Sequence, residues 1–143
     1  CIPGTRHLRI SVVGARCDGA LIEAEALDWR MDLTVPFRPY PLDSTLAQRL
    51  CATLHQLGLV MGIFDVKLTD DDEPVFLEVN PQGQFLFVEG LCGIPLADAV
   101  ADFLVAQARE NIRDRSSGRP RPSIPYREPV PPRPSRRHKV SNR

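Results

Sequence analysis

Residues 6–13 alternate Leu8, Ile10 and Val12 against Arg9 and Ser11, the two-residue period of a half-buried strand. After a turn expected at Ala15 to Gly19, residues 20–30 repeat the pattern, with Leu21 set against Glu23 and Glu25. The two segments together predict a hairpin. Residues 31–41 carry Pro36, Pro39 and Pro41 and are expected to cross the surface as a loop. From Asp43 or Ser44, either able to cap a helix, Leu46, Leu50, Leu54 and Leu57 recur at helical spacing until Gly58 stops the run. Pro95 suits the first turn of a second helix, with Leu96, Val100, Phe103 and Leu104 on one stripe that ends near Arg109.

The densest pattern lies between the helices. Residues 64–83, FDVKLTDDDEPVFLEVNPQG, alternate on both sides of an acidic turn. With the turn centred between Asp71 and Asp72, Asp65 faces Glu78. Phe64, Val66 and Leu68 then share one face with Val75, Leu77 and Val79, while Asp65, Glu78 and Asn80 share the other. Like charges directly opposed across a strand pair are destabilising, so a cation must compensate. Two readings stay open. Lys67 on the same face is able to neutralise a carboxylate, leaving an ordinary solvated surface. Alternatively, Asp65, Glu78 and Asn80 share a divalent cation, since hard oxygen donors on rigid strands suit Mg²⁺, which keeps waters and takes phosphate oxygens as further ligands. Pro81 and Gly83 force a sharp turn immediately after Asn80.

Composition adjusts this picture. The 143 residues, 43% apolar, suffice for one globular domain. The zero formal charge conceals a division: from Asp114 onward eight Arg and one Lys stand against two acids, about +7, leaving about −7 on residues 1–113. That last segment holds seven prolines and hardly any aliphatic residues, so residues 114–143 are expected to be a disordered tail beyond a domain at 1–113. Cys1, Cys17, Cys51 and Cys92 show no CxxC pair and predict neither a zinc site nor a disulfide scaffold, which fits a cytoplasmic chain. His7, His55 and His138 show no ligand spacing, and the run from Asp70 to Glu73 lacks the spaced ligands of a calcium loop. Neither a membrane nor a nucleic-acid partner is expected.

At FLEVNPQGQF (76–85), followed by CGIPLADAVADFL (92–104), the sequence resembles the ATP-grasp superfamily. It is most similar to the graspetide maturases, ligases of microviridin-type ribosomal peptides, whose stretch looks like FLE(V/I)NPNGQW before a Gly-(I/L)-Pro helix start. Gln82 and Phe85 stand where those enzymes have Asn and Trp. The likeness runs upstream through LGLVMGIFDVKLT and, more weakly, through HLRISVVG and LDWRMD. It implies an α+β fold, the C-terminal lobe of an ATP-grasp enzyme, with an antiparallel sheet of hairpins against two or so helices. The N-terminal and central lobes are expected to be missing, and the isolated chain to be inactive. The resemblance further implies ATP and Mg²⁺ as cofactors, Asp65, Glu78 and Asn80 as metal ligands, and Arg30 and Arg9 beside the nucleotide, with Arg30 as the catalytic arginine. The implied activity is activation of a carboxylate as an acyl phosphate for amide or ester formation. The implied substrate is a precursor peptide or a small carboxylate such as an amino acid. The alternative is a non-catalytic remnant that binds without turnover.

Overall fold

The computed structural model describes residue 2, residues 4–26 and residues 28–117. Cys1 and the basic segment from residue 118 onward lie outside the described residues, and so does most of the expected tail.

Five strands form one antiparallel sheet: β1 (Arg6–Val13), β2 (Arg16–Glu23), β3 (Phe37–Tyr40), β4 (Met61–Leu68) and β5 (Pro74–Asn80), in the order β3-β2-β1-β4-β5. Three helices accompany it: α1 (Ser44–Gln56), α2 (Leu86–Cys92) and α3 (Leu96–Ser117). The expected α+β lobe of hairpins and helices is borne out.

One face of the sheet carries Leu8, Ile10 and Val12 of β1, Leu21 of β2 and Phe64, Val66 and Leu68 of β4, covered by Leu50 and Leu54 of α1. The helix starts where expected: the Asp43 carboxylate accepts from the backbone N–H groups of Thr45 (2.8 Å) and Leu46 (3.1 Å), satisfying two donors that have no partner inside the helix. It stops at Gly58, whose φ of +70° lies in the left-handed region that glycine enters without a Cβ clash.

The opposite face differs from expectation. β1 is not half exposed: His7, Arg9 and Ser11 are as buried as the aliphatic residues between them. β1 is the central strand, and its second face lies under α2, α3 and a short 3₁₀ turn at Trp29–Met31. Ala20 packs there with Val88, Ile94 and Leu96, and Ile22 with Ala24 and Trp29.

Four further corrections have local causes. The first turn is shorter than expected, so β2 begins at Arg16 and ends at Glu23. The segment with three prolines holds β3, which pairs only with β2. Pro39 is accommodated because an edge strand has donors to spare. Helix α2 lies in a stretch for which the periodicity predicted no element, and α3 continues past Arg109 to Ser117, leaving Leu104 and Ile112 exposed.

Finally, the β4–β5 register obeys the expected pairing only near the site. Ile63 pairs with Asn80, Phe64 with Val79 and Asp65 with Glu78. A bulge then shifts the ladder by one, so that Val66 meets Phe76 and Lys67 meets Val75. The turn therefore holds five residues, Thr69 to Glu73, closed by the Thr69 N–H donating to the Glu73 carbonyl (3.0 Å). As a result Phe76 packs edge-on against Phe64 with ring centroids 6.1 Å apart, Val75 lies beside Lys67 on the other face, and Leu77 is largely exposed.

Leu54 is 2% exposed in the cluster under α1, whereas Leu57 at the end of the same helix is 55% exposed. Leu54→Ala is expected to lower unfolding stability by about 2–5 kcal/mol, and Leu57→Ala by under about 0.5 kcal/mol. Urea denaturation measures both, and comparable losses would contradict the assignment of the core to the α1 face.

Candidate functional site

The second face of the sheet carries a row of side chains at matching register: Ala20 on β2, Arg9 on β1, Asp65 on β4 and Glu78 on β5. Asn80 lies two pairs along on β5, opposite Ile63, and so returns to the same face. The structure thus brings all three oxygen donors to a single face.

Arg9 is the most enclosed charged member of the row. Its guanidinium lies between two aromatic rings, 5.6 Å from the Trp29 centroid and 5.4 Å from that of Phe87. One terminal nitrogen, Nη1, donates to both oxygens of Asp65 (2.9 and 3.1 Å), and Nη2 donates to the Gln84 carbonyl (2.8 Å). A planar, permanently charged group suits this position, because its edge carries the hydrogen bonds and its faces meet the rings. Its Nε is buried without a partner, as is Nε2 of His7.

Arg30 occupies the solvent side. Asp28 caps the 3₁₀ turn, accepting from the Arg30 backbone N–H (3.1 Å) and from its Nε (2.8 Å). That contact aims Arg30 Nη1 at the sheet, 3.2 Å from Glu78 Oε1 and 3.8 Å from Asp65 Oδ2. Two carboxylates on neighbouring strands therefore converge on one cationic nitrogen. This answers the question of compensation: among the described residues the arginines make the ion pairs, and Lys67 pairs with neither carboxylate. Glu23 of β2 does not hold these arginines either, since it pairs with Arg38 (2.7 Å).

Beside this row opens a cavity of about 490 Å³, lined by Arg9, Trp29, Arg30, Glu78, Asn80 and Phe87 among others. Asn80 presents its side chain at the rim, with Oδ1 accepting from the Gln82 N–H (2.9 Å). Asp65 lies deeper and is 8% exposed. It borders a smaller hollow of about 110 Å³, shared with His7, Asp28 and Glu78.

The electrostatics follow from this layering. Burial pushes the Asp65 carboxyl above the ordinary aspartate value; Arg9 and Arg30 pull it back down, and the hydrogen bond with Glu78 pushes it up again. Arg30 raises its own proton affinity mainly by bonding Asp28, and the same contact holds Asp28 below the usual carboxylate range. His7 is pushed below the ordinary imidazole value by burial and by the nearby Lys67 charge.

The donor chemistry fits a hard cation. Glu78 and Asn80 reach the main cavity with oxygen atoms, Asp65 stands directly opposite Glu78, and Arg30 Nη1 marks a place where positive charge is already held between two carboxylates. Among the described residues no cluster of three or more His, Cys, Asp or Glu side chains forms a complete metal cage. A cation at this place would therefore draw on the amide of Asn80 and on ligands from outside the chain. The rings of Trp29 and Phe87 are not legible in the sequence, although Trp29 sits inside the LDWRMD stretch, because an aromatic beside an arginine carries no period. Cys17 on β2 and Cys51 on α1 also meet, with Sγ atoms 3.4 Å apart, although 34 residues separate them.

Comparison with known proteins places the architecture. The chain matches macrocyclase MdnC of Microcystis aeruginosa MRC, solved bound with precursor peptide MdnA, at 33% identity and a TM-score of 0.65, over 74% of this chain and 34% of that one. It matches macrocyclase MdnB of the same organism at 34% identity and a TM-score of 0.62, over 73% and 39% of the two chains. A RiPP-associated ATP-grasp ligase of Chryseobacterium gregarium, solved in complex with ADP and a leader and core peptide, matches at 26% identity and a TM-score of 0.67, over 74% and 34%. No protein-family model matches the chain, and no curated protein does. The fold is that of a lobe of the ATP-grasp ligases, and the chain is related to the graspetide maturases among them. It spans only about a third of the length of these structures. No helix among the described residues is long and apolar enough to cross a membrane.

Removing Arg9 strands the Asp65 charge in a buried place. Arg9→Met is expected to cost about 3–5 kcal/mol near pH 7. A folded-state pKa already above the unfolded value rises further without its arginine. The stability linked to that group is fully present below the unfolded aspartate value and is lost as pH climbs through the folded one, so the deficit should shrink toward pH 4. Urea titrations at both pH values check this; an equal deficit at each would show that the ion pair is not its source.

Proposed function

We propose that this chain supplies the C-terminal, metal- and phosphate-facing lobe of an ATP-grasp ligase acting on a ribosomal precursor peptide. The reaction class is activation of a carboxylate side chain as an acyl phosphate, followed by displacement of phosphate by a hydroxyl or amine. The observation that carries the reading is the convergence of Asp65 and Glu78 on one point, 3.8 and 3.2 Å from the same Arg30 nitrogen, where Arg30 and Glu78 line a cavity of about 490 Å³ and Asp65 borders the smaller hollow beside it. The relation to macrocyclases and RiPP-associated ligases supports it.

In this reading Asp65, Glu78 and Asn80 hold Mg²⁺, which when bound supplies charge neutralisation at the phosphates of ATP. The chain's own residues do the placing. Arg9 fixes the Asp65 carboxylate by two hydrogen bonds from a single nitrogen, and the Trp29 and Phe87 rings keep that guanidinium from turning. The Gln82 N–H holds the Asn80 amide oxygen outward at the strand end. Arg30, more than half exposed and tethered through Asp28, meets Glu78 through one nitrogen, and its fork of donors would serve a phosphoryl or carboxylate oxygen in the cavity. Enclosure between the aromatic rings and the sheet strengthens these charge contacts relative to water.

Manganese binding, read by the loss of its free-ion paramagnetic signal, tests the ligand set without requiring turnover. Weak binding is expected for the native chain, and Glu78→Gln is expected to weaken it at least about tenfold, the loss of one charged ligand. Arg30→Ala should tighten binding, because it removes the cation that competes for the same carboxylates. Binding untouched by Glu78→Gln would reject the assignment.

A further inference from the structure

On the sheet face opposite the site, Cys17 near the start of β2 and Cys51 in the middle of α1 point at each other with Sγ atoms 3.4 Å apart. Both are half-buried free thiols. Neither belongs to a metal-binding cluster among the described residues. Their surroundings hold them in place: the Cys17 thiol also reaches the Ala47 carbonyl (3.7 Å), and Cys51 the Ala15 carbonyl (4.0 Å). Each side chain thus faces the segment that leads into the other cysteine, and closing the remaining gap requires a shift of about 1.4 Å to reach the roughly 2.05 Å of a disulfide.

We propose that Cys17 and Cys51 are a redox modification site: a dithiol that a low-molecular-weight disulfide, such as oxidised glutathione, converts into an intramolecular disulfide stapling α1 to β2. The inference is independent of the proposed ligase role. The chemistry proceeds in two balanced exchanges. Cys51, on the helix surface, loses its proton and its thiolate attacks one sulfur of the small disulfide. A mixed disulfide forms on Cys51 and one small thiolate departs. Cys17 then loses its proton and attacks the Cys51 sulfur, forming the internal bond and expelling the second small thiolate. In sum, two protein thiols lose two protons and two electrons, and one disulfide is reduced to two thiols.

The order of attack follows from the environment. Cys17 is pushed up to about 12 by burial first, then by its hydrogen bond and charge interaction with Cys51 and by Asp18, so it makes a poor first nucleophile. Capping of Cys51 ends the contributions from that neighbour, and the second step then rests on proximity, since the Cys17 sulfur already lies 3.4 Å from the Cys51 sulfur it attacks. Among the described residues Cys92 has no such partner: its thiol donates to the Val88 carbonyl within α2 (3.0 Å).

The test incubates the full 143-residue chain in glutathione buffers from fully reduced to fully oxidised, quenches with acid and maps the products by mass. Expected is a species about 2 Da lighter. Trypsin should release the peptides 17–30 and 50–67 as one linked pair, from cuts at Arg16, Arg30, Arg49 and Lys67. The oxidised chain should melt about 5 °C or more above the reduced one, since a cross-link across 34 residues restricts the unfolded ensemble. Cys17→Ser should leave a stable glutathione adduct on Cys51. The proposal is overturned if excess oxidised glutathione yields no 17–51 link, if the link forms only in urea, if Cys1 or Cys92 is consumed first, or if oxidation leaves the melting temperature unchanged. An absence of adduct on Cys51 in the serine variant would overturn the order of attack.

Discussion

A guanidinium enclosed in the middle of a β-sheet is the constraint on which the rest of this structure depends. Arg9 sits on the central strand, and an uncompensated charge there would cost several kcal/mol. Its compensation recruits four separate parts of the chain: Asp65 from β4, the Gln84 carbonyl from the loop after β5, the Trp29 ring from the 3₁₀ turn and the Phe87 ring from α2. Trp29, Gln84 and Phe87 also line the larger cavity, and Asp65 borders the smaller hollow beside it. Electrostatic satisfaction of one buried residue and assembly of the candidate site are therefore a single event, and neither can be altered without disturbing the other.

The arrangement also separates two duties that a sequence presents as equivalent. Arg9 and Arg30 are both arginines near acids, yet one is 7% exposed with fixed partners and the other is anchored at Asp28 with its far end facing the cavity. Arg9 gives the carboxylate its orientation. Arg30 has the freedom to exchange one anion for another, the behaviour expected of a residue that meets a changing distribution of charge.

Much of this was legible beforehand because it rests on strict periods. The alternation around Asp65 and Glu78 placed both on one face and paired them correctly, and the leucine spacing from Leu46 to Leu57, with Asp43 and Gly58 at its ends, defined α1. The fold class followed from these elements and from the likeness carried by FLEVNPQGQF. What could not be read depends on packing between distant segments. Nothing in residues 6–13 announces that their polar face will be covered, since alternation looks the same whether the second layer is water or a helix. The proline-rich stretch before α1 conceals β3 because an edge position tolerates what a central one forbids. The aromatic clasp of Trp29 and Phe87 and the meeting of Cys17 with Cys51 join residues many positions apart that no local pattern links.

The bulge between Asp65 and Val66 has a consequence for how such a chain is able to diverge. It absorbs one odd residue of the β4–β5 connection on the turn side, so the ladder from Asp65 to Ile63 keeps its alignment beside a five-residue turn. A change of one residue at that acidic tip has a place to be taken up before it reaches the carboxylates.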